Sequence, residues 1–205
     1  MLNQHLILVV LWVVFSLFHS IFAAKRFKKI MQQAMKRNFK YYRILYSVFA
    51  SINLAIIMAY LFKVKSIALW KANTVEIIIA IACMMTSGLL MIFFARKFFF
   101  DLSGADIFLK TKKPKTLIKT NFYKFVRHPL YAATLLFIWS IFFWHPLLSN
   151  LISCIIITIY TITGIRYEEK KLVQEFGKSY IQYRAQTPML IPKFINPEKN
   201  HHHEK

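Results

Sequence analysis

Five apolar stretches, 6–24, 44–62, 75–95, 129–144 and 147–165, are separated by charged segments, and each is 16 to 21 residues long. A helix needs about 20 mostly apolar residues to cross roughly 30 Å of hydrocarbon. A chain with five such stretches, 57% hydrophobic residues and four glycines in 205 cannot bury them all in one soluble core. The expected fold is all-α and integral to a membrane. It has five transmembrane helices, the fourth and fifth forming a tight hairpin around "HPLLSN", and an amphipathic C-terminal helix on the cytoplasmic side. The whole chain is expected to be one membrane domain: three N-terminal spans in 1–95, a basic cytoplasmic loop at 96–128, a hairpin with the C-terminal helix at 129–194, and a disordered tail at 195–205.

The net charge of +20 follows the same plan. No Lys or Arg precedes residue 25, and 25 of the 28 fall in 25–43, 96–127 and 166–205. Alternate loops are therefore basic, which by the positive-inside rule sets the N-terminus outside and the C-terminus in the cytoplasm. The membrane is expected to be the inner, cytoplasmic one if the source is bacterial. Attraction to anionic lipid headgroups is expected as a secondary effect, and nucleic acid is not an expected partner. The first stretch lacks a basic leader and is followed by "KRFKK", so it reads as a retained span and not as a cleaved signal. Cys83 and Cys154 lie inside expected spans and read as packing residues. No metal site is expected: His201, His202 and His203 sit in the terminal tail, where a run of histidines reads as disordered chain or a tag remnant.

This topology brings separated residues to one membrane face. Arg127 and His128 end the third loop, and Glu168 and Glu169 follow the fifth span. Because the fourth and fifth helices form a hairpin, the start of one and the end of the other should be neighbours. Pro129 suits the first helical position, where its missing N–H costs nothing. The free N–H groups of the next turn, with Arg127 and His128, would hold a carboxylate. Carboxylates at a helix C-terminus oppose its dipole, so Glu168 and Glu169 need a cationic partner. Taken singly, these residues read as interfacial charges, Tyr131, Tyr180 and Tyr183 as membrane-belt aromatics, and Leu172 and Phe176 as a packed helical face. His19, inside the first span, reads as a packing residue hydrogen-bonded to a neighbouring helix.

The order "FYKFVRHPLY", hairpin, "GIRYEEKKLVQEFGKSYIQYRAQTPMLIP" resembles the isoprenylcysteine carboxyl methyltransferase family of membrane methyltransferases. Thirteen residues carry the resemblance over the C-terminal half: Arg127, His128, Pro129, Tyr131, Glu168, Glu169, Leu172, Phe176, Gly177, Tyr180, Tyr183, Pro188 and Pro192. The N-terminal "FSLFHSIFAAKRFKK" and "YYRILYSVFA" look like the bacterial branch that includes methanethiol S-methyltransferases. Asn121 and Ala133 stand where glycine is common in the pattern.

The resemblance implies S-adenosylmethionine as cofactor and methyl transfer to a hydrophobic or lipid-like acceptor drawn from the bilayer, with a carboxylate or thiol as the favoured acceptor group. It implies that Glu169 and Arg127 are catalytic and that His128, Pro129, Tyr131, Glu168, Tyr180 and Tyr183 bind the cofactor. In this scheme Glu169 serves an ammonium or an acceptor proton, and the tail folds over the adenosine, its return fixed by Pro188 and Pro192. Two other readings share the layout: a non-catalytic membrane carrier or assembly protein, and an NADPH-dependent reductase of the sterol type.

Overall fold

The computed structural model describes residues 2–103, 117 and 121–192. Much of the expected 96–128 loop and all of the 195–205 tail lie outside the described residues. Seven α-helices occur among those described: α1 (Leu2–Ala23), α2 (Lys25–Met35), α3 (Tyr42–Lys63), α4 (Thr74–Ser103), α5 (Pro129–Trp144), α6 (Leu148–Phe176) and α7 (Lys178–Gln186). Short 3-10 turns cover Lys36–Tyr41 and Asn121–Lys124.

Four helices, α1, the α2–α3 segment, α4 and α6, are long and apolar enough to cross a membrane, and α5 is a shorter apolar helix. At 1.5 Å per residue α1 spans about 33 Å, whereas the 16 residues of α5 span about 24 Å, short of a full hydrocarbon core. The 29 residues of α6 span about 44 Å, so this helix continues beyond the apolar part and carries Glu168 and Glu169 with it.

Helix α1 packs between α3 and α6, α6 packs on α5, and α5 packs along α4. Leu8, Trp12 and Ile57 form a small closed core, flanked by Leu11, Met58, Ile152 and Ile156. Polar side chains join the helices inside it, as expected where lipid gives no hydrophobic drive to associate. The Trp12 indole donates to Ser153 Oγ at 2.9 Å, and the Trp139 indole donates to Thr158 Oγ1 at 3.1 Å. The outer faces remain apolar: Leu6, Val10, Val13 and Leu17 on α1 and Ile78, Met85, Leu89 and Ile92 on α4 are exposed. Stripes of that size face a membrane rather than water. The protein is an integral membrane protein.

The two ends of the bundle differ. At one end Leu69 N–H donates to Pro146 O, Leu148 N–H to Ile67 O, and Ser66 Oγ meets both His5 Nε2 and Ser149 N–H. The chain start, the α3–α4 connection and the α5–α6 turn are thus tied together. There Asn73 and Glu76 close a reciprocal cap, the Asn73 side chain accepting from Glu76 N–H and the Glu76 carboxylate from Asn73 N–H. The opposite end gathers α2, the start of α3, residues 121–128 and the end of α6. Lys28 lies near Arg43 and Lys171 there; burial first, then these two like charges, push its ammonium below the usual lysine range.

Three features differ from the sequence expectations. Helix α2 occupies a segment read as loop; its basic residues alternate with apolar Phe27, Ile30 and Met31, which is the pattern of an interfacial helix. Helix α4 runs to Ser103, past the expected end at 95. The C-terminal amphipathic segment is divided: its first part continues α6 to Phe176, and α7 follows after Gly177. Glu168 and Glu169 therefore sit about two turns inside α6, beyond the last turn where the helix dipole acts strongly.

Gly177 makes the break, with φ 54° and ψ −132°. A side chain there would meet no neighbouring atom, so the constraint is on the backbone alone. Gly177→Ala is expected to lower stability by about 1–3 kcal/mol and to loosen α7. Thermal unfolding and limited proteolysis of the tail check this; an unchanged midpoint would show that the turn relaxes freely.

Candidate functional site

Residues 127–128 are held to the returning tail by backbone hydrogen bonds. Arg127 N–H donates to Pro188 O at 2.9 Å and His128 N–H to Met189 O at 3.2 Å. This fixes the entry to α5, where Pro129 occupies the first turn and the His128 side chain forms no cap. The N–H groups of the first turn consequently lack intrahelical partners.

Three side chains from two distant segments converge at this point. Arg127 Nε and Nη2 each lie 2.7 Å from Glu169 Oε1, and His128 Nε2 lies 3.2 Å from the same oxygen. His128 is 6% exposed and Glu169 8%. Glu169 faces inward because it follows buried Ile165 by one helical turn; Glu168, one residue away, is half-buried and points toward Tyr131 and Tyr123, on which its charge acts. The adjacent carboxylates thus occupy different surroundings.

Arg127 has a further task. Its Nη1 donates to Arg184 O at 3.0 Å and to Thr187 O. Of the five guanidinium N–H groups, only one on Nη2 is left outside these bonds. The arginine therefore ties three elements together: the start of α5, α6 through Glu169, and the end of α7.

Helix α7 buries Tyr180 and Tyr183 at i, i+3 spacing, and Thr187, which follows its last turn, is buried as well. Tyr183 OH donates to Tyr123 O at 2.6 Å. Tyr180, 1% exposed, has the one buried side-chain polar atom without a hydrogen-bond partner among the described residues. Burial, then the nearby Glu169 charge, raise its pKa, and Arg127 partly opposes them. Glu169 is close enough to act through its field, yet it does not meet hydrogen-bond geometry with the hydroxyl. The hydroxyl thus keeps its proton and, among the described residues, meets no acceptor in hydrogen-bond geometry.

Burial moves the Tyr183 hydroxyl up to about 12, against the opposing effect of the Arg127 charge. A raised folded-state pKa means that its contribution to stability is complete below the unfolded tyrosine value near 10 and is lost as pH rises toward 12. Tyr183→Phe leaves the Tyr123 carbonyl without its donor and is expected to cost about 1–3 kcal/mol, a penalty that shrinks in alkaline unfolding experiments. A constant difference from neutral to strongly alkaline pH would contradict this account.

The residues singled out in the sequence fall into two adjoining groups. Arg127 and His128 meet at one Glu169 carboxylate oxygen, with Tyr180 and Tyr183 buried on α7 nearby. Tyr131 and Glu168 lie beside them, the Tyr131 ring 5.8 Å from that of His128. Ala133 is buried in α5, and Asn121 opens a 3-10 turn. The backbone carbonyls of Tyr123, Arg184 and Thr187 were not legible as site components, because any residue type supplies them.

The phospholipid methyltransferase family profile matches residues 75–179. Methanethiol S-methyltransferase 1 of Bradyrhizobium diazoefficiens is 27% identical over 89% of this chain and 65% of its own length. A methanethiol S-methyltransferase of Crocosphaera subtropica is 30% identical over 87% of this chain and 71% of its own. The protein-S-isoprenylcysteine O-methyltransferase of Schizosaccharomyces pombe is 36% identical over a shorter region, 40% of this chain and 36% of its own. The chain thus spans about two thirds of the length of its first two relatives. No solved structure matches it. A match over half the chain, carried by the segment that builds the Arg127–Glu169 site and joined by relatives that align along nearly all of it, has one conclusion: the chain belongs to the phospholipid methyltransferase family.

Proposed function

We propose that the protein is an S-adenosylmethionine-dependent membrane methyltransferase that methylates a thiol or carboxylate on a hydrophobic acceptor drawn from the bilayer. The observation that carries the reading is the Tyr180 hydroxyl, a buried donor without an acceptor among the described residues, set beside the Arg127–His128–Glu169 cluster. Such an atom costs free energy unless something outside the protein completes it. An amino-acid moiety fits: its carboxylate would accept from Tyr180, from the remaining Arg127 N–H and from the open first turn of α5, and Glu169 would face its ammonium. In this reading Arg127 chiefly positions Glu169 and the tail, His128 and Tyr131 line the entrance, and Tyr183 holds α7 in place. Pro129 leaves the helix start open, and Glu168 adds negative charge beside Tyr131.

Bound S-adenosylmethionine would supply a methyl group on a positively charged sulfur. Displacement at that carbon needs alignment and exclusion of water, and the tail clipped across the α5 entry serves both. The thiol acceptor is favoured because the relatives aligned along most of this chain are thiol methyltransferases by name. Five membrane crossings, with the site end in the cytoplasm and the N-terminus outside, are supported by the bundle ends described above. Alternate connections meet at each end, and the described basic residues of α2, 121–128 and the end of α6 share the site end. Anionic headgroups would neutralise that end.

Calorimetry on the purified full chain tests the reading, with S-adenosylmethionine and S-adenosylhomocysteine as ligands, NADPH as competitor and His128→Ala as the site variant. Saturable binding, weakened about tenfold or more in the variant, is expected. Absence of binding of both adenosyl compounds would end the proposal, and NADPH binding in their place would assign the site to a reductase.

A further inference from the structure

Helices α1 and α3 pack on each other, yet 18 residues, 24–41, connect them, where about 2–8 suffice between neighbouring helices. Ala24, in extended conformation, turns the chain out of α1 into α2. Lys36, with φ 45°, turns it back into the 3-10 turn Lys36–Tyr41, which packs on both α2 and α3. The connection is thus a small helical lobe at the site end. Phe27 holds it to the end of α1, its ring 5.1 Å from that of Phe22, and no residue of α2 is buried.

The lobe is built for a surface that is both apolar and negative. Residues 25–43 hold eight Lys and Arg and no acid. Helical geometry gathers Phe27, Ile30, Met31, Ala34 and Met35 into one apolar arc of about 140° on α2 and leaves Arg26 and Lys28 at its two borders. Ile30, on the arc, is 59% exposed. At the other border Lys28 comes near Arg43 of α3 and Lys171 of α6, with burial and these like charges depressing its ammonium. Like charges converge at a cost, and a phosphate between Lys28 and Lys171 would offset it. A soluble anion would leave the exposed apolar arc in water. A phospholipid supplies both parts, a charged headgroup for the cations and acyl chains for the arc.

We infer that the α2 lobe is a binding site for an acidic phospholipid, whose phosphate is held by Lys28, Arg43 and Lys171 and whose acyl chains lie along the apolar arc of α2. General attraction of headgroups to basic loops spreads over every cation at that end, whereas the lobe takes one lipid at one place. Lys171 follows Glu169 by two residues, about 200° around α6, so the lipid and the Arg127–Glu169 cluster occupy opposite faces of the helix. Lipid binding is therefore independent of methyl transfer, and it braces α2 against the helix that carries Glu169.

Thermal unfolding of the full-length protein in a nonionic detergent tests this, with titration of dioctanoyl phosphatidylglycerol, dioctanoyl phosphatidylcholine and inorganic phosphate. The midpoint of the wild type should rise saturably with phosphatidylglycerol and stay unchanged with the other two. Each lysine facing an acidic headgroup is worth about fivefold in affinity. Lys28→Gln/Lys171→Gln should therefore need about 10–30-fold more phosphatidylglycerol for the same shift. Without lipid it should unfold at the wild-type temperature or slightly above, because the like charges are gone. Lys124→Gln/Lys178→Gln, which removes equal charge from exposed positions of the same end, should respond within about twofold of wild type. Ile30→Gln should weaken the response about threefold or more, and it carries the test if the lysine variant does not fold. No shift with phosphatidylglycerol would remove the site. Equal shifts with phosphatidylcholine would leave acyl packing alone, equal losses in the two lysine pairs would mean diffuse charge, and equal stabilisation by inorganic phosphate would mean a soluble-anion site. Each of these results overturns the inference.

Discussion

Glu169→Ala is expected to destabilise the protein by about 3–5 kcal/mol and to abolish methyl transfer. The substitution leaves the Arg127 guanidinium, whose side chain is 9% exposed, buried without its counter-charge, and the penalty for an uncompensated buried ion is of that size. Arg127→Ala should be at least as damaging, because it also removes the bonds to the Arg184 and Thr187 carbonyls that seat the tail. Arg127→Lys should rescue little, since an ammonium cannot reproduce the forked contacts. The double variant Arg127→Ala/Glu169→Ala should cost less than the sum of the two single changes by about 0.5–3 kcal/mol. Thermal and denaturant unfolding of the four proteins in one detergent measures the cycle. Strict additivity, or single variants within a few tenths of a kcal/mol of wild type, would mean that the pair does not hold the site together.

That pair was approachable from sequence because two physical regularities point at it. The apolar lengths and alternating basic loops place "RHP" and "EE" on one side of the membrane, and the short "HPLLSN" connection makes α5 and α6 neighbours. What could not be read was which atoms would face each other. The expectation gave Glu169 a cationic partner without choosing between a ligand and a neighbouring arginine, and in the folded chain Arg127 takes that place. The reason is that α6 runs on to Phe176, which turns Glu169 inward one turn after Ile165 and leaves Glu168 half-buried beside Tyr131. The break at Gly177 was equally hidden, because a glycine between two helical patterns fits a continuous helix or a corner until its φ is known. The His19 contact had a visible half: a histidine inside an apolar span. Its partner Tyr46 lies on another helix, its hydroxyl 2.9 Å from His19 Nε2, and only packing brings it there. Helix α2 could have been found from the spacing of Phe27, Ile30 and Met31 among lysines, a signal that the basic count of the loop obscured.

Tyr180→Phe should separate folding from ligand binding more cleanly than any other change in the site. A buried tyrosine normally loses stability when its hydroxyl is removed, since a hydrogen-bond partner is left behind. Among the described residues no such partner exists, and the hydroxyl bears its desolvation cost alone. The variant should therefore unfold at the same temperature as wild type or slightly above it, while its affinity for S-adenosylmethionine falls about 10–100-fold, the worth of a hydrogen bond to a charged group. Because burial and the Glu169 charge keep the hydroxyl protonated, the loss should not vary between about pH 6 and 9, a window well below the tyrosine range. Calorimetric titration and thermal unfolding of the same preparation give both numbers. A destabilised variant with unchanged affinity would show that the hydroxyl serves the fold and that the ligand's carboxylate is held elsewhere. Stability retained with affinity lost would place that carboxylate between Tyr180 and the start of α5, where the arginine, occupied with Glu169 and the tail, has a single N–H left to offer.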